Sequence, residues 1–374
     1  MMTRASHEGP RRAAAAALAA ILGAAAPSLA QQPAPAPTPE ATPVPAPEPK
    51  VVVGGWVDTY YGYNSNETDP MLRSFDVQHN AFSLSAAEVN FTKVPTAESR
   101  VGFRTDLWFG KAADLTASFE PEADGREIYK HVQQAYVSVL TGKVQWDAGK
   151  FVTPHGAEVL ESQDDWNYTR SILFGYAIPF YHLGVRATVP VTDKLSLSGY
   201  LVNGWNNAVE IDGRKTFAVG ATLKPTASVT WVANYMLGKE AEDLDTRHLF
   251  DTTLTVAATG KLSFMGNLDY GQEGDVKWWG VAAYAKLQAT PSWAVAARYE
   301  YLDDTEGGFM TFGTKAQSIT VTSDHTIAGA LKARLEYRTD FADEDIFEKD
   351  DGSAKGSQTT LTVGVVYSFG GGLF

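Results

Sequence analysis

The sequence predicts an all-β protein, a transmembrane antiparallel β-barrel of about 16 strands with short periplasmic turns and long extracellular loops. Three observations lead to this fold class. Segments of about ten residues alternate apolar and polar side chains, tight and long connections alternate along the chain, and aromatic residues gather near the segment ends. In residues 330–340, for example, Leu, Ala, Leu and Tyr alternate with Lys, Arg, Glu and Arg.

The connections decide between a soluble β-sandwich and a membrane barrel, which the alternation alone leaves open. Short turns on one side and longer, polar, acidic connections on the other are typical of outer-membrane hairpins. Seven tight turns imply fourteen paired strands, and one further strand at each end gives sixteen. These turns fall at residues 95–97, 141–143, 191–193, 225–227, 259–261, 290–292 and 328–329.

The predicted strands follow from these turns and from the alternation between them. They are residues 51–63, 79–94, 99–110, 127–141, 143–152, 180–190, 194–206, 214–224, 228–238, 247–260, 261–272, 276–290, 292–303, 315–325, 328–340 and 357–369. An even number places both termini on the short-turn side. The aromatic residues expected to form two girdles at the membrane boundaries are Tyr60, Tyr61, Tyr63, Trp108, Phe109, Trp146, Trp231, Tyr270, Trp278, Trp279, Tyr299 and Tyr301.

The N-terminus predicts export. A basic segment, a short alanine-rich apolar run and a small-residue site ending at Ala30 indicate a secretory signal peptide over residues 1–30. Residues 31–50 alternate proline and alanine, which favours an extended, flexible segment. The barrel is then expected over residues 51–374, in the cell outer membrane. Either Phe369 or Phe374 would supply the aromatic residue that closes the last strand.

Composition excludes several other classes. The chain has 374 residues, no cysteine and a net charge of −13. The absence of cysteine excludes disulfide scaffolds, iron–sulfur ligation and thiol nucleophiles. The acidic balance argues against nucleic-acid binding, and a mean hydropathy of −0.19 argues against a bundle of transmembrane helices. We see no serine-hydrolase or metal-binding spacing, so we expect no catalytic site, cofactor or metal.

Three runs of residues resemble the OmpL-like family of β-barrel porins: 150–154 (KFVTP), 166–174 (WNYTRSILF) and 177–186 (AIPFYHLGVR). The resemblance extends from about residue 51 to the end of the chain. It implies a Gram-negative outer-membrane channel. It implies little about the solute, because the family is named for its barrel.

The longest connection, at about residues 153–179, is the third long loop, the one that narrows the channel in sixteen-stranded general porins. We expect it to constrict the lumen, with a surface loop or a lid as the alternative. Its candidate constriction residues are Glu158, Glu161, Asp164, Asp165 and Arg170. A lumen of sixteen strands is otherwise an open aqueous channel.

Strand parity predicts which charged residues line the wall. Opposite the apolar faces lie Arg100, Arg104, Asp106, Asp147, Arg186, Arg298, Glu300, Lys332, Arg334, Glu336 and Arg338, with Asp58 and Glu88 on the first strands. We expect the arginine rows to face the carboxylates of the third long loop. Such a transverse field would orient dipolar solutes.

The function that these features predict is a porin, a passive water-filled channel for small hydrophilic solutes or ions. A surface anchor or adhesin-type barrel without transport is the alternative. The expected partners are outer-membrane lipid and lipopolysaccharide, the permeating solutes and the barrel assembly machinery, but no nucleic acid. A homotrimer is the expectation by analogy with general porins.

Overall fold

The computed structural model describes residues 51–241, 244–307 and 313–372 of the chain. The predicted signal peptide, residues 1–30, and the proline- and alanine-rich segment, residues 31–50, lie outside the described residues. The described part contains a closed antiparallel barrel of 16 strands and a small two-stranded hairpin. The predicted all-β barrel is therefore confirmed.

The structure gives the following bounds. The barrel strands are β1 (Val52–Asn64), β2 (Ala81–Lys93), β3 (Val101–Phe109), β4 (Val132–Thr141), β5 (Val144–Val152), β6 (Tyr181–Pro190), β7 (Leu195–Val202), β8 (Thr216–Thr226), β9 (Val229–Lys239), β10 (Thr246–Ala257), β11 (Leu262–Glu273), β12 (Val276–Thr290), β13 (Trp293–Asp303), β14 (Lys315–Ala328), β15 (Leu331–Ala342) and β18 (Ser357–Gly372). The hairpin consists of β16 (Phe347–Glu348) and β17 (Ala354–Lys355). Three helices lie in connections: α1 (Lys111–Ser118), α2 (Ala123–Tyr129) and α3 (Ile172–Tyr176). Among the described residues, none of the helices combines the length and apolar character needed to cross a membrane.

The first and last barrel strands close the sheet. β1 pairs antiparallel with β18, from Val52 opposite Gly372 to Asn64 opposite Thr360. On its other side β1 pairs with β2. Because every barrel strand has two neighbours, the backbone N–H and C=O groups find partners in the ladder and no edge is left free.

Alternation along each strand sorts the side chains between the two surfaces of the barrel. On β15, Leu335 and Tyr337 face outward and are 49% and 51% exposed, whereas Arg334 and Glu336 face inward and are each 1% exposed. The same period-two pattern places apolar residues outside and charged residues inside. The interior of the barrel is called the lumen below.

Three of the predicted girdle residues face the lumen instead. Tyr60, Trp108 and Trp278 are 3%, 1% and 1% exposed. Each is followed in sequence by a second aromatic residue, and adjacent residues of a strand point to opposite faces. Only one member of each aromatic pair can therefore lie on the outer surface.

Two local predictions about strand ends and connections are corrected. The strand expected over residues 127–141 begins at Val132, because α2 occupies Ala123–Tyr129. On the side of the long loops, β11 and β12 are joined by residues 274–275 alone, so this connection is as tight as the turns opposite. Gly274 makes it feasible, since its φ of 59° is a left-handed conformation that glycine adopts without strain.

Candidate functional site

The third long loop, residues 153–180 and hereafter the lumen loop, contacts inward-facing side chains of the barrel. The Ser162 hydroxyl donates to Asp58 Oδ2 at 2.7 Å, and the Tyr168 hydroxyl donates to Asp58 Oδ1 at 2.8 Å. On the neighbouring arc of the wall, Asn167 Nδ2 donates to Thr322 Oγ1 of β14 at 2.7 Å. The loop therefore lies inside the barrel against β1 and β14.

Two carboxylates of the wall accept backbone amides of the loop. Glu336 of β15 accepts from Tyr168 N at 2.6 Å and from Thr169 N at 3.0 Å. Glu300 of β13 accepts from the amides of Ile172 and Leu173 in the first turn of α3. The amides in the first turn of a helix have no partner within the helix, so Glu300 supplies the acceptor that these buried donors need.

Three arginines of the wall bind the loop through its carbonyl oxygens. Arg298 Nη1 donates to Thr169 O at 2.6 Å, and Arg338 Nη1 donates to Arg170 O at 2.6 Å. Arg334 Nη2 donates to Asp165 O at 3.0 Å. All three arginines are at most 1% exposed. The guanidinium fork suits this role because its five N–H donors can serve several acceptors at once.

Each of these arginines also pairs with a carboxylate of the wall. Arg298 Nε lies 3.3 Å from Glu300 Oε1, Arg334 Nη2 lies 2.8 Å from Asp324 Oδ2, and Arg338 Nε lies 2.8 Å from Asp340 Oδ1. The three buried charges are therefore compensated by carboxylates of the same strand or, for Arg334, of the neighbouring strand β14. The part of the wall beneath the loop is a network of paired charges.

Among the loop carboxylates, Glu158 matches the expectation of facing the arginine rows. Its Oε1 lies 2.7 Å from Arg298 Nη1, and both side chains are buried. Asp165 pairs at 3.0 Å with Arg170 of the loop itself. Asp164 is exposed. In the described residues, Glu158 is the one loop carboxylate that forms a salt bridge with the wall. The expectation that the arginine rows face several loop carboxylates is therefore wrong, since one such pair is found.

The structure places the remaining predicted wall residues nearer the short-turn side. The side chain of Arg104 is 35% exposed and that of Arg186 is 19% exposed. Their partners Asp106 and Asp147 are 0% and 2% exposed. Lys332 is partly exposed and donates to Gln163 O at 3.0 Å. Cations in this part of the lumen are more accessible than the carboxylates that accompany them.

One predicted wall residue does not belong to the wall. Arg100 precedes the first residue of β3 and is exposed in the connection from β2. The strand begins at Val101, and although Arg100 O accepts from Leu140 N at 2.8 Å, the exposed Arg100 side chain lies at the short-turn end of the barrel. The expected ladder of Arg100 and Arg104 is therefore wrong.

Two buried histidines lie where the lumen loop meets the barrel: His155 in the loop and His182 at the start of β6. Thr153 Oγ1 lies 3.1 Å from His155 Nδ1 and 3.1 Å from His182 Nε2, and Asn234 Nδ2 of β9 donates to Pro154 O at 2.9 Å. Burial lowers the pKa of His155 to about 3, and the neighbouring His182 adds to the shift. Further along the loop, burial raises the pKa of Asp165 well above its usual value, although Arg170 opposes the shift.

Sequence reasoning missed two residues of this region. Lys286 of β12 faces the lumen and is partly exposed; its parity matches that of Trp278, so strict alternation would have found it. Arg73, from the connection between β1 and β2, lies 2.7 Å from Asp340 Oδ2 through its Nη1 atom. No periodic pattern marks Arg73, because its connection is irregular.

Comparison with known proteins agrees with this architecture. Residues 50–369 match the model of the family described as "Putative beta-barrel porin-2, OmpL-like". The chain matches no curated protein sequence.

Solved structures similar to the chain are porins and outer-membrane channels. The anion-selective porin from Comamonas acidovorans has a TM-score of 0.58 at 13% identity, over 85% of this chain and 99% of that chain. The outer membrane channel DcaP of Acinetobacter baumannii has a TM-score of 0.58 at 13% identity, over 86% and 98%. OmpT of Vibrio cholerae, in its trimer form, has a TM-score of 0.56 at 10% identity, over 85% and 99%. At these identities the likeness shows the shared fold.

Proposed function

Since the chain belongs to the OmpL-like β-barrel porin-2 family, we propose that it forms a passive, water-filled channel for small hydrophilic solutes in the outer membrane. The lumen loop, residues 153–180, narrows this channel. The observation that carries the proposal is the docking of the loop on the inner wall by buried, paired charges such as Arg298 and Glu158. A loop held in this way sets a fixed size limit, because its release would break several buried hydrogen bonds and a salt bridge at once.

The proposed channel favours anions weakly. Four cations facing the lumen are partly exposed: Arg104, Arg186, Lys286 and Lys332. The carboxylates beside them, such as Asp106 and Asp147, are buried. A permeating ion meets the accessible charge most strongly, so this part of the lumen attracts anions.

The location and assembly of the protein belong to the same proposal. We place it in the outer membrane after export by the predicted signal peptide, with its short turns on the periplasmic side. A porin family and a porin fold support a channel without enzymatic activity. A homotrimer is proposed, and the trimer form of one similar solved structure supports it.

Liposome swelling tests the proposal. Liposomes that contain the refolded protein should swell in small sugars faster than empty liposomes, and the rate should fall steeply with sugar size. Reversal potentials in a potassium chloride gradient should then indicate a slight preference for chloride. Swelling no faster than in empty liposomes would contradict the channel and favour the anchor or adhesin alternative.

A further inference from the structure

A cluster of three carboxylates connects the lumen loop to β2 and β3. Glu88, Asp106 and Glu161 each offer an oxygen atom, and these oxygens all lie within 4.8 Å of one another. The pairing of β2 with β3 places Glu88 opposite Trp108 and Asn90 opposite Asp106, so the two wall carboxylates lie on neighbouring strands of the inner face. Glu161 comes from the loop and completes the cluster.

The cluster carries more negative charge than its neighbours compensate. Its salt bridge within the described residues joins Arg104 Nε to Asp106 Oδ2 at 2.8 Å. Three ionised carboxylates and one guanidinium leave a net charge of about −2 in a region shielded from water, which is costly without a cation. Glu88 and Asp106 are 3% and 0% exposed, so solvent does little to reduce this cost.

One carboxylate oxygen of Glu88, a cluster residue that is 3% exposed, lacks a hydrogen-bond partner. Its Oε1 accepts from Asn90 Nδ2 at 2.8 Å. Its Oε2 is buried and has no hydrogen-bond partner. Buried polar atoms in folded proteins nearly always have a partner, so an unpaired anionic oxygen indicates a missing positive group.

We propose that Glu88, Asp106 and Glu161 bind a divalent cation of the Ca²⁺ type, and that this cation fastens the lumen loop to β2 and β3. Ca²⁺ takes oxygen ligands at about 2.3–2.6 Å, so two ligands across its coordination sphere lie about 4.6–5.2 Å apart. The oxygens of the cluster all lie within 4.8 Å of one another, so one Ca²⁺ can contact all three. Mg²⁺ dehydrates reluctantly and usually keeps several waters, so a site built from three carboxylates favours Ca²⁺.

The cation would supply a kind of contact that the loop uses nowhere else on the wall. Toward β13–β15 the loop is held by direct contacts, such as Glu158 with Arg298 and Glu336 with the amide of Tyr168. Toward β2 and β3 it presents Glu161 to two further carboxylates, which repel it unless a positive charge lies between them. A proton shared within the cluster is the competing explanation, since burial raises the pKa of Glu161.

Calcium titration of the refolded protein in detergent tests the proposal. Isothermal titration calorimetry is carried out after chelator treatment, with Glu88→Gln and Glu161→Gln as variants. Glu98→Gln is the matched control, because Glu98 is an exposed carboxylate in the connection between the same two strands. Tb³⁺ gives a second measurement, since Trp56 and Trp108 lie opposite Glu88 in the register and can sensitise its emission.

The expected result is one site per chain that binds Ca²⁺, raises the melting temperature and sensitises Tb³⁺ emission. Affinity should fall at least about tenfold in each cluster variant, because each loses one charged ligand, and should be unchanged in Glu98→Gln. Without metal, Glu88→Gln also distinguishes a cluster of ionised carboxylates from one that shares a proton. If the carboxylates are ionised, removing one uncompensated buried charge should raise the melting temperature. Equal binding by all four proteins, or proton uptake without stoichiometric Ca²⁺ binding, would overturn the proposal. Neither calcium binding nor the melting temperature depends on conduction, so the proposed cation site and the proposed channel function are tested independently.

Discussion

Two pairs of arginines, Arg298 and Arg338 under the lumen loop and Arg104 and Arg186 nearer the short-turn side, share orientation toward the lumen, yet their surroundings differ. Arg298 and Arg338 are buried and contact loop carbonyls. Arg104 and Arg186 pair with wall carboxylates, Asp106 and Asp147, and keep 35% and 19% of their side chains exposed. The difference shows that hydrogen bonds to the loop determine the role of an inward-facing cation. An arginine bound to loop carbonyls is buried and stabilises the fold, whereas one without such bonds stays accessible to solute in the lumen.

The two groups should therefore respond differently to the same substitution. A charge in a buried, paired site cannot lose its partner without leaving the other charge desolvated. A partly exposed pair exchanges its partner for water at little cost.

The largest effect is expected for Arg298→Met. The substitution leaves the Glu158 carboxylate buried without its partner at 2.7 Å. Breaking a buried pair on one side costs about 3–5 kcal/mol, and the melting temperature in detergent should fall accordingly. Arg186→Met is the matched control. Its guanidinium is already partly hydrated, and Ser138 and Gln145 still donate to Asp147, so the cost should be smaller, about 1–2 kcal/mol. Equal losses in the two variants would break the distinction between the groups.

The second effect concerns the histidine at the beginning of the loop. The pKa of His155 is about 3 in the folded protein, below its ordinary value of 6.5, so folding favours the neutral ring. The resulting stability is fully present above pH 6.5 and is lost progressively as the pH falls toward 3.

The wild type should therefore lose about 2 kcal/mol relative to His155→Asn between pH 6.5 and pH 5, at about 1.4 kcal/mol per pH unit. Urea unfolding at the two pH values measures the difference, in which the carboxyl groups common to both proteins cancel. Parallel pH profiles would show that the ring is not buried when the loop is docked.

The third effect concerns ion selectivity. Replacing Arg104, Arg186 and Lys286 by Gln removes accessible positive charge from the lumen, so the reversal potential should shift toward cation preference. Because the chain has no cysteine, Arg186→Cys can be modified at that single thiol, and a positively charged thiol reagent should restore part of the chloride preference. An unchanged reversal potential in the triple variant would show that permeating ions do not pass close to these cations.

The smallest effect is expected at the outer end of the barrel. Asp350 and Asp351 lie among exposed residues of the connection between β15 and β18. Their change to Asn should move selectivity slightly toward anions, since charges are screened over about 8 Å at physiological salt. A shift larger than that of the lumen variants would place the selectivity determinant at the mouth. No shift at all would leave solvation as the role of these carboxylates.

Most of the barrel was predictable from the sequence, because alternation and tight turns are local signals that each strand carries. The same rule located Arg298, Glu300 and Arg338 on the inner face. It could not reveal that Asp58 would meet Tyr168, since that contact joins residues 110 positions apart. Nor could parity indicate which inward charges a loop covers. Pairs such as Trp278 and Trp279 misled the girdle prediction, because composition does not tell which of two adjacent aromatic residues faces out.

Single-channel conductance in a planar bilayer tests the central claim most directly, with the wild type compared to a variant that lacks residues 158–165 of the lumen loop. Heat-modifiable migration in electrophoresis confirms beforehand that the shortened protein forms its barrel. If the docked loop narrows a water-filled channel, the shortened protein should show a higher conductance and admit larger sugars. An unchanged conductance and size limit, in a barrel that has folded, would contradict the account.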